Sequence, residues 1–203
     1  MISGLHGSHV YILDGIWGSH RRWTDLSQRL VGHGASVTIW HYQNSGRLQL
    51  ADLGDELARE ISSSTSSKIH CVGYSMGGLV IRAALRKVPK ERINRVAFLH
   101  SPQEGSFGAW LFPFLPSAKD MRPGSDFLTT LSKASWPWET MVTWCPFDLM
   151  VLPGWSANWS GATRSFCSLV PAHAWPVFSR GIHQRVVDFF LQSKLANHPD
   201  SEE

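Results

Sequence analysis

A chain of 203 residues with a net charge of +3 is long enough for one domain with a sizeable core. It is too weakly and diffusely basic to argue for nucleic acid as a partner. Its apolar share of 43% is ordinary for a soluble protein, no apolar run reaches membrane-spanning length, and the N-terminus lacks the basic and long apolar segments of a secretory signal.

Six short apolar runs read as strands in chain order: Val10–Asp14, Val37–Tyr42, Lys68–Val72, Arg95–His100, Met141–Cys145 and Arg164–Leu169. Helical patterns separate most of them. Trp23 to Val31 carries an apolar stripe that Gly34 stops, and Leu50, Leu53, Leu57 and Ile61 give Gln49–Ser62 one apolar face. Leu79–Arg86 reads as a helix straight after the third strand, and Val186, Val187, Phe190 and Leu191 mark a last one after Ser179. This alternation predicts an α/β fold, a three-layer α/β/α sandwich on a mainly parallel sheet of roughly six strands.

One interval breaks the alternation. Residues 102–139 are rich in Pro, Gly, Trp and Phe, and within them Ser125 is placed to cap a short helix, Asp126–Ala134. Insertions at this level of an open α/β sheet lie over the carboxyl ends of the strands, where ligands bind. The expected organisation is a single domain over 1–203 with a cap-like insertion at about 102–139. The acidic tail, Asp200–Glu203, is expected to fray.

Gly73-Tyr74-Ser75-Met76-Gly77-Gly78 carries the chemistry. A serine on a sharp strand-to-helix turn, flanked by glycines that let backbone pass close by, is a nucleophile elbow. A serine hydroxyl needs a base, usually a histidine oriented by a carboxylate, and on this topology the order is Ser, then acid, then His. Asp148 follows the fifth strand by a Pro146-Phe147 turn, where an exposed carboxylate is expected, and His173 follows the sixth through Val170-Pro171-Ala172. His183 falls inside the last helix, where a surface or packing role is expected. Asp126 suits a helix start, Asp120 lies in the insertion, and His20, His33, His41 and His70 precede the elbow. The candidate triad is Ser75, Asp148 and His173. The oxyanion donors should be the amide of Met76 and an amide from the turn Asp14-Gly15-Ile16-Trp17-Gly18, of which Ile16 is the choice.

These segments resemble the α/β-hydrolase superfamily, and more narrowly the small bacterial lipases and esterases with their PGAP1-like and DUF676 relatives. The likeness runs through Val10–Ser19, Ile69–Val80, Arg95–Ser106, Lys119–Leu131, Trp144–Leu152 and Leu169–Trp175. It implies a minimal α/β-hydrolase fold, with positions matching Ser75, Asp148 and His173 as triad and those matching Ile16 and Met76 as oxyanion donors. Two positions depart from the pattern. Asp14-Gly15 stands where such proteins carry His-Gly, and a carboxylate near an oxyanion is expected to turn aside and accept local backbone hydrogen bonds. Ser101-Pro102-Gln103-Glu104-Gly105 replaces a Thr-Pro-His/Asn-x-Gly turn that shapes the acyl pocket.

Trp17 adjoins the oxyanion turn and Trp175 follows His173 by two residues, so both are expected to line the mouth of the site as substrate-binding residues. Trp110, Phe112 and Phe114, with Trp136 and Trp138, would either rim the site or pack the insertion onto the sheet, while Trp144 is expected in the core. The expected activity is hydrolysis of carboxylic esters through an acyl-enzyme, on a small-molecule or lipid ester, without cofactor or metal. A lipid surface would meet the aromatic insertion. A thioesterase or amidase would use the same triad, and a non-catalytic binding protein on this fold would have lost the serine, the histidine or the elbow glycines. Cys71, Cys145 and Cys167 lie in or beside apolar runs, which fits buried thiols and a cytoplasmic setting; nothing in the sequence sets an oligomeric state.

Overall fold

The computed structural model describes residues 4–192, so the tail Asp200–Glu203 and the first three residues lie outside the described part. Six strands are present there: β1 (Ser8–Leu13), β2 (Ser36–Ile39), β3 (Lys68–Tyr74), β4 (Ile93–Leu99), β5 (Glu139–Trp144) and β6 (Arg164–Cys167). Every pairing is parallel, in the order β2-β1-β3-β4-β5-β6. The central strands have apolar side chains on both faces, as a sheet covered by helices on both sides requires.

Successive residues of β1 show the layering. Val10 and Ile12 pack with Leu26 and Leu30 of α1 (Thr24–Gly32) and Val186 and Val187 of α7 (Arg180–Leu191). Tyr11 and Leu13 point the other way, into a cluster with α2 (Leu50–Ser63) and α3 (Met76–Leu85). On α2 the predicted stripe Leu50, Leu53, Leu57, Ile61 is wholly removed from solvent. Each such side chain contributes about 1.5–3 kcal/mol of burial free energy. Ser125 caps its helix as expected, accepting from the amide of Leu128, and Ser179 also caps the last helix, accepting from the amide of Ile182.

All six strands shift by one to three residues at one end or both, and two of these shifts have a clear physical reason. β4 begins at Ile93 and includes Arg95, whose charge is buried because its guanidinium binds Glu139 and the carbonyls of Phe189, Phe190 and Gln192 at the end of α7. β2 stops at Ile39, because this edge strand peels away to carry Tyr42 and Asn44 over the end of β1.

The interval between β4 and β5 holds a 3-10 turn (Phe107–Leu111), α4 (Pro116–Asp120) and α5 (Asp126–Ser132). Its first half overhangs the carboxyl ends of the strands. Its second half packs down: Leu128, Leu131 and Trp138 join the α2/α3 core, with Trp136 set against Phe98 and Trp159. Trp136 and Trp138 are therefore packing residues, not rim. Trp144 is only half-buried, because its short edge neighbour β6 leaves the indole free to donate to Ser165 at the surface, and Cys167 is exposed for the same reason. No helix among the described residues is long and apolar enough to cross a membrane.

Candidate active site

The strand order reverses between β1 and β3, because the chain runs from β1 outward to β2 and then returns to β3 on the other side. The crevice at that switch point is where open α/β sheets bind ligands, and both the elbow and the Gly-rich turn open into it.

Ser75 sits at φ 51°, ψ −126°, between the last residue of β3 and the first of α3. A non-glycine residue in that region costs about 1–3 kcal/mol and must be held by its surroundings. Here its amide donates to Leu99 O at 3.0 Å, its carbonyl accepts from Gly78 N at 3.1 Å, and all of α3 is buried. The helix lies so close to β1 that a Cβ on Gly77 would stand 2.6 Å from Asp14 O and 2.7 Å from Leu13 O.

The turn after β1 approaches the serine equally closely. A Cβ on Gly15 would stand 2.8 Å from Ser75 Cβ, so only glycine fits. Asp14 turns its carboxylate back onto the Gly15 amide at 2.7 Å, as expected, and also takes a bidentate pair from Arg22 at 2.7 and 3.1 Å. Asn44 Nδ2 donates to Gly15 O and Gly18 O at 2.9 and 3.0 Å, Trp17 N donates to Asn44 O at 2.9 Å, and Tyr42 Oη donates to Asp14 O. Arg22, Tyr42 and Asn44 thus fix the turn, although no sequence motif singles them out. Among the described residues, neither the Ile16 amide nor the Met76 amide has a hydrogen-bond partner.

His173 Nε2 lies 3.0 Å from Ser75 Oγ, and its Nδ1 lies 2.8 Å from Asp148 Oδ2. Tyr74 Oη donates to His173 O at 3.1 Å; burial pushes the phenol's pKa up, which keeps it a donor. Asp148 is not the exposed carboxylate that the sequence suggests: it is 2% exposed. The cause is its bonding. Oδ1 accepts from the amides of Met150 and Val151 at 2.8 and 2.9 Å, and Oδ2 accepts from His173 and also from His100 Nδ1 at 3.1 Å. Burial alone would raise the Asp148 pKa. The hydrogen bonds from His100 and His173, with His173's field and the Val151 amide, overcome it and hold the carboxyl well below the usual range.

Sequence order overlooked His100, because it ends a strand and its partner lies far along the chain. His183, by contrast, is buried on the far side of Trp23, with Nδ1 2.7 Å from Asp25. His100, Asp148 and His173 also place their ligand atoms within 4.8 Å of one another, a spacing a metal ion could use. The nitrogens and oxygen it would need are already spent on the hydrogen bonds between these residues.

A cleft of about 780 Å³, open to solvent, runs over these groups. Ser75, His173, Tyr74 and Arg22 form its polar floor, and its apolar wall includes Ile16, Phe112, Ala118, Met121, Met150 and Val151. Trp17 is part of the lining and meets Phe112 edge-on at 5.5 Å. Trp175 is not among the lining residues and stands partly exposed beyond His173.

The family model described as palmitoyl protein thioesterase matches residues 30–159. The chain belongs to that family. The matched part of this thioesterase-family chain contains Ser75 and Asp148 and ends before His173. No curated protein matches the sequence. Among solved structures, mature Bacillus licheniformis lipase BlEst2 is 18% identical with a TM-score of 0.63, over 91% of this chain and 91% of that one. Polyneuridine aldehyde esterase is 17% identical with a TM-score of 0.61, over 90% and 99%. Legionella pneumophila phospholipase PlaB with thio-NAD is 12% identical with a TM-score of 0.55; the match takes in 68% of this chain but only 38% of that longer protein. At such identities the likeness shows the fold, and the family places the chain among α/β-hydrolase enzymes of the esterase, lipase and thioesterase kind.

Proposed function

We propose that the protein hydrolyses carboxylic esters through a Ser75–His173–Asp148 triad. The observation that carries this reading is the unbroken chain of contacts from Ser75 Oγ through both nitrogens of His173 to Asp148 Oδ2. His173 Nε2 takes the Ser75 proton as Oγ attacks the carbonyl carbon, and Asp148 holds the Nδ1–H tautomer and stabilises the imidazolium that forms. The developing oxyanion is met by the free amides of Ile16 and Met76, the latter at the N-terminus of α3. His173 then gives its proton to the leaving alcohol. Water, deprotonated by the same ring, releases the acid from Ser75.

Residues 102–121 act in this reading as the cap, and their apolar side chains and Trp17 receive the acyl group. Trp175 serves at the outer edge of the mouth. The exposed Trp17, Phe107, Trp110, Leu111 and Phe114 form the face that would meet a lipid surface. Three free thiols accord with a cytoplasmic setting.

Ser75→Ala should lower kcat on short p-nitrophenyl esters by at least about 10³-fold and abolish fluorophosphonate labelling. Full activity in that variant would overturn the proposal. A second reading, thioester hydrolysis, is favoured by the family match across Ser75 and Asp148. Rates on an ester and thioester of the same acyl chain separate the two.

A further inference from the structure

The mechanism leaves His100 unused, yet its placement is costly. The ring is fully buried, its backbone lies at φ 46°, and its Nε2 has no hydrogen-bond partner among the described residues. An apolar side chain at the end of β4 would leave no orphaned nitrogen. What the histidine supplies is a donor: an ionised carboxylate only accepts, so the Nδ1 that lies 3.1 Å from Asp148 Oδ2 must carry a proton. The same oxygen receives His173 Nδ1, and the two imidazole rings stand 6.1 Å apart.

We propose that His100 is a positioning residue for the hydrolytic reaction, its Nδ1–H holding Oδ2 of Asp148 in the orientation that His173 requires. The inference rests on the triad reading above. With Oδ1 tied to two backbone amides, His100 completes the clamp on a carboxylate whose other duty is to orient a ring on an irregular loop. The second donor also divides the charge on Oδ2, so His173 feels less of it. Besides His100 and His173, the titratable neighbours of Asp148 include Tyr74 and Cys145, both kept protonated by burial, and Arg22 and Asp14 stand on the other side of Tyr74.

Removing the donor should have two effects together. The carboxylate turns more freely, which lowers kcat. Its undivided charge stabilises imidazolium more strongly, which moves the acid limb of kcat/KM to higher pH. Packing damage alone would not move that limb upward.

The test compares His100→Leu with His100→Asn on p-nitrophenyl butyrate, with thermal unfolding measured alongside. Asparagine can present an amide N–H near the Nδ1 position and tolerates positive φ. His100→Leu should lose about tenfold in kcat with little change in KM, and its acid limb should rise by about half a pH unit. His100→Asn should stay within about threefold of the parent with its limb unmoved. Equal impairment of both variants, or a folded His100→Leu with parental kcat and limb, would overturn the inference. Should His100→Leu fail to fold, proton NMR of the unsubstituted protein decides. Two imidazole N–H protons bonded to one carboxylate support the inference, and a single one, lost in His173→Asn, overturns it. Ser75→Ala run in parallel separates the two failures: if it is inactive while His100→Leu is unaffected, only this inference falls, and if it is active, the triad falls with it.

Discussion

Ser75 stands between a strand and a helix that are buried almost throughout, whereas no residue from Cys167 to Trp175, the stretch that carries His173, is buried. Ser75 is held by the sheet ladder and by close approach of α3 to β1. His173 is held by three polar contacts, to Asp148, to Ser75 and to Tyr74. Preorganisation on one side comes from packing and on the other from hydrogen bonds. The first should fail only with the fold, the second locally.

The largest local failure should come from Asp148→Asn. An amide nitrogen facing two ring N–H groups forces one ring to flip or retreat, and kcat should fall about 10³–10⁴-fold while the melting curve stays cooperative. Steady-state kinetics beside calorimetry checks this; a kcat within tenfold would remove the distinction.

The Ser75 side has its own weak point at the far end of β3. His70 is buried against Phe190, and burial, with the fields of Arg95 and Lys68, lowers its pKa from 6.5 to about 3. The folded protein then resists the proton that the unfolded chain accepts. The stability this histidine allows is whole above pH 6.5 and declines as pH falls toward 3. At pH 5 the loss is about 2 kcal/mol, or roughly 30-fold in the folding equilibrium. Denaturant melts of His70→Leu at pH 7 and 5 should show a difference smaller by that amount, and an unchanged difference would contradict it.

The mildest change is Tyr74→Phe. It removes one hydrogen bond to the His173 carbonyl, worth about 1 kcal/mol, and should lower kcat about fivefold without altering global stability. An equal fall in melting temperature and activity would mean that the loop is packed more tightly than its exposure indicates.

Much of this was legible in the chain itself. The six strands, the stripe on α2, the Ser125 cap and the turned-back Asp14 follow from local patterns, and local patterns survive because packing agrees with them. The order Ser, Asp, His brought together three side chains that the fold sets within hydrogen-bond reach. What escaped is non-local. Asn44 and Tyr42 act on a turn some thirty residues earlier, and His100 meets Asp148 from just past the end of β4. Burial of Asp148 depends on donors that no spacing announces. The aromatic interval looked uniform in composition, yet Trp136 and Trp138 belong to the core and Trp110 to the surface, because only the first half of that interval overhangs the strand ends.

The pairing of β1 with β3 has a dimensional consequence. Leu13 and Gly73 lie opposite each other in that ladder, and Ile16 and Met76 each follow three residues later. The two amides thus start from paired positions on neighbouring strands, about 4.8 Å apart, and the contacts of Arg22, Tyr42 and Asn44 hold the turn that carries Ile16. Length changes within 102–121 would reshape the lining of the cleft without touching this pairing. One residue added within 14–16 or 74–76 would throw the two amides out of step, so the proposed mechanism draws its substrate choice and its chemistry from different stretches of the same chain.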